Sequence, residues 1–267
     1  TLLSRMAYVF GTSACTLTST LKPTFVKGVW GPYHSAMVPG LWLNEGGQSA
    51  AGAAIDHLVR HHPAQEEAAA AAEAAGTSLS QWLSREAERR GGAAAAPSLI
   101  GQLHVVPEFL GNRAPFADPD ALGMIAGIGM DTGLDSLVAL YLAGMCGLGY
   151  GARQIIEAQR QSGVAIDTMV ISGGAGQSPL SRQLLADATG LSVAASTSEE
   201  PVMLGSAMLG AVAAGAFPDL ETAMAAMAEL GEVHQPAAAS RKWHQRRFEA
   251  FEILQKAGLM IRNMAAG

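Results

Sequence analysis

The stretch TMVISGGAGQSPLSRQLLADATG, residues 168–190, decides the fold. It begins as an apolar, β-branched run, passes through Gly173, Gly174, Ala175 and Gly176, and continues beyond Ser178 and Pro179 with leucines at 180, 184 and 185. Serine followed by proline is a helix-start signal, and the leucine spacing that follows is helical. A strand that feeds a helix through glycines is the repeating unit of an α/β domain. The strand LSVAAST (191–197) and a small-residue helix from Pro201 to Ala214 repeat the unit, which predicts an α/β fold with helices packed on a sheet.

The glycine-rich turn is also a candidate site. A helix start offers unpaired N–H groups and a partial positive charge, and glycines let a nucleotide lie against the backbone. A tight strand-to-helix turn with no ligand is the plain alternative. The turn lacks the Gly-Lys-Ser/Thr ending of a Walker loop and the glycine spacing of a dinucleotide fingerprint. Glu199 and Glu200 fall in a loop, not at a strand end about 20 residues on, which argues against a nicotinamide-dependent dehydrogenase.

Upstream, MAYVFGTSACTLTST (6–20) reads as two strands joined by Gly11, Thr12 and Ser13. Such a turn can hold a phosphate through N–H and O–H donors, and it can equally be an ordinary hairpin turn. A third small-residue segment, Gly46, Gly47, Gln48 and Ser49 leading into Ala51, Gly52 and Ala53, allows close approach of a helix or of a ligand.

Further helices are predicted over Ala50–Arg60, over the Ala/Glu-rich stretch Pro63–Arg90, which GGAAAAP (91–97) breaks, and over Leu134–Ser162, Leu220–Leu230 and Arg241–Met264. The Ala/Glu-rich stretch reads as a helical insertion at about 63–96. LHVVPEFLG (103–111) reads as a strand entering a loop, and GNRAPFADPDALG (111–123) as turns. The helix around Gly205 and Gly210 packs either within the domain or across a homodimer.

The chain has 267 residues, 49% of them hydrophobic, with a formal charge of -6 and pI of about 5.6. These values suit a packed domain and disfavour nucleic acid as a partner. Cys15 and Cys146 lack metal or redox spacing, and His57, His61 and His62 lack metal spacing, so no metal ligand set is expected. Asp118 and Asp120 are open to a Mg²⁺ or acid–base reading and to turn capping. No leader motif or uninterrupted apolar run of about 20 residues is evident, which predicts a soluble, cytoplasmic protein without a membrane partner. The chain starts at Thr1 without Met and enters a strand almost at once, as a fragment would.

Taken in order, GTSAC (11–15), GVWGPYHSAMVPGLWLNEGGQSAAGAAIDHL (28–58), PEFLGNRAPFADPDALG (107–123), VISGGAGQSPLSRQLLAD (170–187) and EEPVMLGSAMLGAVAAGAF (199–217) resemble the FGGY carbohydrate kinases. The branch that phosphorylates ribulose- and ribitol-like five-carbon sugars and polyols is the most similar. The resemblance implies a ribonuclease-H-like ATPase lobe of the actin, Hsp70 and hexokinase type, the C-terminal nucleotide-binding half of a kinase using ATP and Mg²⁺. It implies that Gly11, Thr12 and Ser13 meet the phosphates and that Gly52, Asp56, Gly173, Gly174, Ala175 and Ser178 flank the adenosine. Asp56 and Ser178 replace the Gln and Asn usual in the related glycerol kinases. The family's catalytic Asp would fall upstream of Thr1, as would the N-terminal sugar-binding domain, so the resemblance implies no catalytic residue in this chain. A sugar-kinase-like scaffold that binds nucleotide without phosphoryl transfer is the alternative, whereas an actin- or chaperone-type ATPase would lack the passages at 30–40 and 107–116.

Overall fold

Alternation of buried and exposed side chains builds the hairpin at residues 5–20. Strand β1 (Arg5–Phe10) pairs antiparallel with β2 (Ala14–Thr20), Phe10 lying opposite Ala14. Met6, Tyr8 and Phe10 enter the core on one face of β1 while Arg5 and Val9 are exposed on the other. The computed structural model to which these strands belong describes residues 2–265.

On one side β4 (Trp42–Gln48) pairs antiparallel with β2, and β3 (Trp30–His34) extends the sheet. Strands β5 (His104–Val106) and β6 (Met124–Ala126) form a separate antiparallel ribbon. On the other side of β1 lie β7 (Thr168–Ser172) and β8 (Ser192–Ser196), both running parallel to it, and the antiparallel edge strand β9 (Leu230–His234). The seven-stranded order is β3-β4-β2-β1-β7-β8-β9. The carboxyl ends of β1, β7 and β8 therefore converge, and in open α/β sheets ligands bind in the crevice outside such ends.

Helix α5 (Leu134–Gln161) supplies the centre of the core through Leu137, Tyr141, Leu148, Ile155 and Ile156. By length and composition it would suffice to cross a membrane, but 78% of its most apolar window is buried inside the fold. Its contact with β2 is partly polar: the Thr18 hydroxyl donates to Gln159 Oε1 at 2.5 Å, both residues buried. Around α5 pack α1 (Gly52–Arg60), α3 (Leu79–Arg89) and α4 (Gly92–Ile100), with α2 (Gln65–Ala74) packed against α3. Helices α6 (Pro179–Thr189) and α9 (Arg241–Ala265) complete the layer. Helices α7 (Pro201–Ala213) and α8 (Leu220–Met227) bury little: Val202, Met203 and Leu209 stay exposed, and Gly205 and Gly210 face open space.

Three expectations need correction. The helix-forming stretch Pro63–Arg90 is not continuous: it holds two helices, interrupted at Gly76–Thr77, with Ser78 and Gln81 forming a capping box that starts α3 afresh. The GGAAAAP stretch ends α3 at Gly91, which takes the left-handed conformation, but then becomes α4, with Pro97 inside it. The helix expected to run to Leu230 stops at Met227, and LGEVH pairs as β9, whose short, polar sequence carries little strand signal.

Helix α9 is fastened by a buried polar group. Tyr150 Oη and His244 Nδ1 are 2.9 Å apart, and Arg247 donates to the carbonyls of Gly101, at 3.2 Å, and Leu103. Burial, then the charges of Arg247 and Arg153, push the His244 imidazole down to about 4. The unfolded chain, whose histidine titrates near 6.5, thus binds the proton that the fold refuses. Stability is complete above about pH 6.5 and declines toward pH 4, by on the order of 3 kcal/mol. Urea unfolding at pH 7.5, 6 and 5 measures this decline, and His244→Gln flattens it; an equal slope in the variant would assign the decline elsewhere.

Candidate functional site

The turn at Gly11, Thr12 and Ser13 lies at the carboxyl end of β1, closed by a bond from Gly11 N to Ser13 O at 2.9 Å. Gly11 and Thr12 are exposed and Ser13 is half-buried. The start of α1 docks directly on it. Gly52 N donates to Gly11 O at 2.9 Å, Ala51 N to Thr12 O at 2.9 Å, and Ala53 N to Thr12 O at 3.2 Å. A Cβ on Gly52 would stand 2.8 Å from Gly11 O, so glycine at 52 is required by the turn it packs against. The third small-residue segment thus supports the first, with its leading N–H groups committed to turn carbonyls. Asp56, one turn further along α1, is exposed.

The Gly-Gly turn adjoins the same place. Val9 is opposite Ser172 in the β1–β7 ladder, so Gly173 follows on beside Phe10. Gly173 has φ +91°, and a Cβ there would lie 2.1 Å from Phe10 O. Both the conformation and the space admit only glycine. Residues 174–177 form a 3-10 turn, and α6 follows, capped by the Ser178 hydroxyl accepting from Ser181 N at 3.2 Å. Gly174 differs from its neighbour: its φ is unexceptional, it is exposed, and a Cβ on it would meet nothing within 4 Å. The backbone of Ala175 lies in the 3-10 turn, and its side chain is outside what the structure describes.

The structure therefore brings residues 11–13, 52 and 173–174 to one edge of the sheet, at the carboxyl ends of the adjoining parallel strands β1 and β7. Ser178 is near it in sequence, but its hydroxyl already caps α6 and stands 2.8 Å from Ser84 Oγ of α3, tying the helical insertion to the site. Arg182, which sequence reading passed over, donates from Nη1 to Gly176 O at 2.8 Å and so holds the Gly-Gly turn from behind. Its place four residues after a cap is an ordinary helix position, and nothing in the sequence singles it out.

Other candidates resolve as structural. Asp118 pairs with Arg262 at 2.6 Å and accepts from Asp120 N at 3.1 Å, a capped turn whose arginine holds the carboxyl below its usual range. Among the described residues no three His, Cys, Asp or Glu side chains gather as a metal site. Behind the end of β4, Glu108 accepts from the amides of Asn112, at 2.5 Å, and Gln255, at 2.6 Å, and burial pushes its carboxyl up. A surface pocket of about 450 Å³ lies against another face of α1, lined by Ala53, His57, Phe109 and Leu110. Of the sequence-read candidate segments only Ala53 lines it; residues 11–13, 52, 56, 173–175 and 178 do not.

A mixed sheet with this strand order, flanked by helices and presenting two backbone turns at its carboxyl edge, is the actin- and hexokinase-like ATPase fold. The family model of the FGGY family of carbohydrate kinases, C-terminal domain, matches residues 6–214, and the chain belongs to that family. It is 42% identical over 263 residues to a human FGGY carbohydrate kinase domain-containing protein, covering 97% of this chain and 48% of that protein. It is 37% identical over 219 residues to a D-ribulokinase of Saccharomyces cerevisiae, covering 80% of this chain and 31% of that protein. Among solved structures it is similar to xylulose kinase from Rhodospirillum rubrum, with TM-score 0.73 and 21% identity over 96% of this chain and 48% of that one. The chain thus spans less than half the length of these relatives.

The two adjacent glycines should separate cleanly. Gly173→Ala is expected to cost at least 2 kcal/mol from its left-handed φ and its collision with Phe10 O, whereas Gly174→Ala should stay within about 0.5 kcal/mol of the parent. Urea midpoints of the two variants check this, and equal losses would mean the turn is not built as described.

Proposed function

We propose that this chain is the ATP-binding half of a carbohydrate kinase that transfers the ATP γ-phosphoryl group to a hydroxyl of a five-carbon ketose or polyol. The observation that carries the reading is Gly174: an exposed glycine, at the carboxyl ends of the parallel strands, that neither backbone strain nor packing requires. What it preserves is access to the backbone of the turn. A nucleotide laid there would have Gly173, Gly174 and Ala175 beneath its adenosine, with Gly52, Asp56 and Ser178 as flanking walls. Its phosphates would lie against the turn of Gly11, Thr12 and Ser13, with donors from Thr12 and Ser13, since Gly11 N is already given to Ser13 O. Family membership supports ATP as the nucleotide, and the similarity to a D-ribulokinase supports a five-carbon substrate.

The residues present fit a nucleotide but not a resident metal, since no ligand cluster occurs among the described residues. Mg²⁺ would come with the phosphates and neutralise charge developing on them during transfer. The chain's own task is to hold the nucleotide in line and to exclude water as one wall of a cleft. Residues 2–10 contain no carboxylate to take the hydroxyl proton. The base and the sugar contacts are therefore assigned to the N-terminal half present in the longer relatives, in a cytoplasmic enzyme, and this chain alone should not phosphorylate a sugar.

Calorimetric titration with MgADP tests the reading. Gly174→Asp, which should fold normally, is expected to lose binding by at least tenfold because its carboxylate would occupy the nucleotide's place, and Thr12→Ala to weaken it by roughly tenfold. A Gly174→Asp variant that binds as tightly as the parent would remove the nucleotide from this turn.

A further inference from the structure

The Gly-Gly turn is held by few bonds of its own. Gly176 N donates to Gly173 O at 3.0 Å, and the next carbonyl contact comes from outside, through Arg182. We infer that Arg182 is the positioning residue of the nucleotide turn, and that His234, on the edge strand β9, sets whether Arg182 can hold it. This rests on the nucleotide reading of the turn given above.

The hydrogen-bond directions are determined one by one. Arg182 Nη1 donates to Gly176 O at 2.8 Å, while Arg182 Nε donates to His234 Nε2 at 3.0 Å. Guanidinium nitrogens only donate, so His234 Nε2 must be the lone-pair nitrogen and the ring proton must sit on Nδ1. That nitrogen faces Gln183 Oε1 at 3.3 Å. The Gln183 amide is itself oriented, because its Nε2 donates to Asp187 Oδ1 and to Gln235 O, each at 2.9 Å. Asp187 Oδ1 in turn accepts from Ala237 N at 2.7 Å. The neutral Nδ1–H imidazole is thus the form that satisfies every partner, and the chain of bonds runs from the nucleotide turn through α6 to β9 and the segment beyond it.

Adding a proton at Nε2 would set N–H against N–H and one cation against another. The Arg182 fork would have to swing away from His234 and, being planar and rigid, would give up Gly176 O with it. The groups facing the imidazole are Arg182 and Gln183 of α6 and the exposed Glu232 carboxylate of its own strand, 3.8 Å from Nε2, while β8 presents Val193 opposite. Burial and the Arg182 charge outweigh Glu232 and hold the imidazole below its ordinary value. The clamp is therefore closed at neutral pH and opens only as the solution is acidified below the ordinary imidazole range.

Two measurements on the purified chain test this. In the first, the Gly176 carbonyl carbon and the Gly174 amide are followed by NMR from pH 8 to 5. Both should move with the same midpoint as the His234 ring and stay flat in His234→Gln, which keeps an acceptor for Arg182 without a titrating proton. A Gly176 signal that does not follow His234 overturns the coupling. In the second, ADP affinity is measured at pH 7.5 and 5.5. Arg182→Ala should bind about tenfold more weakly than the parent at pH 7.5, the worth of one charge-assisted bond. The parent should lose about tenfold more affinity at pH 5.5 than His234→Gln does, the comparison cancelling titration of ADP itself. Parent-like ADP binding by Arg182→Ala overturns the positioning role. If the parent chain binds no ADP while Gly176 still tracks His234, the nucleotide reading falls, and Arg182 is left as a brace of the turn alone.

Discussion

The approach of two backbones, Phe10 at the end of β1 and Gly173 at the end of β7, is the constraint on which the site depends. Parallel pairing carries Val9 and Ser172 to the same level, and the chain must then turn off both strands within a few ångströms. The space between them, 2.1 Å from a would-be Cβ at residue 173 to Phe10 O, excludes every side chain. Because the approach is that close, the turn at 11–13 and the Gly-Gly turn share one edge of the sheet instead of lying on separate loops. The first turn of α1 then locks the arrangement from the side, spending its N–H groups on Gly11 O and Thr12 O. A crevice so made is rigid by construction, since moving either turn would break a ladder or a helix start.

Behind the crevice the core is more polar than the composition suggests. Thr16, Thr18, Asn44 and Gln159 are all buried where β2 and β4 meet α5, and the Tyr8 hydroxyl donates to Gln48, whose amide reaches Leu148 O. Thr16 Oγ1, Asn44 Oδ1 and Gln159 Nε2 have no hydrogen-bond partner and cost stability, whereas the pairs Thr18–Gln159 and Asn44–Thr24 favour one register. A slip of β4 against β2 by one residue would invert which side chains face α5, and the Tyr8–Gln48 bond opposes it. Register matters here because Gln48 leads directly into the segment that supports residues 11–13. The helical insertion joins the same scheme through Ser84 and Ser178, so α3 braces the cap of α6.

Much of this was legible in the sequence, and what was not has definite physical reasons. The hairpin at 6–20, the long helix α5 and the strand-glycine-helix unit at 168–190 are written locally, in alternation, leucine spacing and a Ser-Pro cap. Residues 11–13, 52 and 173–174, which family resemblance assigns to a nucleotide, lie at one edge of the sheet. Strand β9 was missed because LGEVH owes its conformation to β8 alongside it, a long-range partner that local pattern cannot display. Helix α4 was missed because GGAAAAP mixes the strongest helix former with two breakers, and packing against α5 settled the matter. Ser178, which the resemblance places beside the adenosine, caps α6 through its hydroxyl, as its position just before a proline allows. Arg182 and His234 are 52 residues apart, and their bond leaves no local trace.

Three glycines at the crevice show how a structural requirement can be told from a functional one. At residue 173 both φ and space demand glycine, and at 52 the neighbouring turn does, so neither needs a ligand to account for it. At 174 the chain could carry any side chain at no cost to the fold that the structure reveals. Glycine is a costly choice for an exposed, regular position, because the unfolded chain gains more entropy there than with alanine. An exposed glycine that the fold does not require leaves the backbone of its turn open to solvent. The same test applied to Gly205 and Gly210 of α7, also facing open space, gives a weaker result: they sit inside a helix, with no strand ends or oriented donors converging on them. Open space carries weight only beside converging strand ends, and in this chain an open glycine and such ends coincide where β1 and β7 stop.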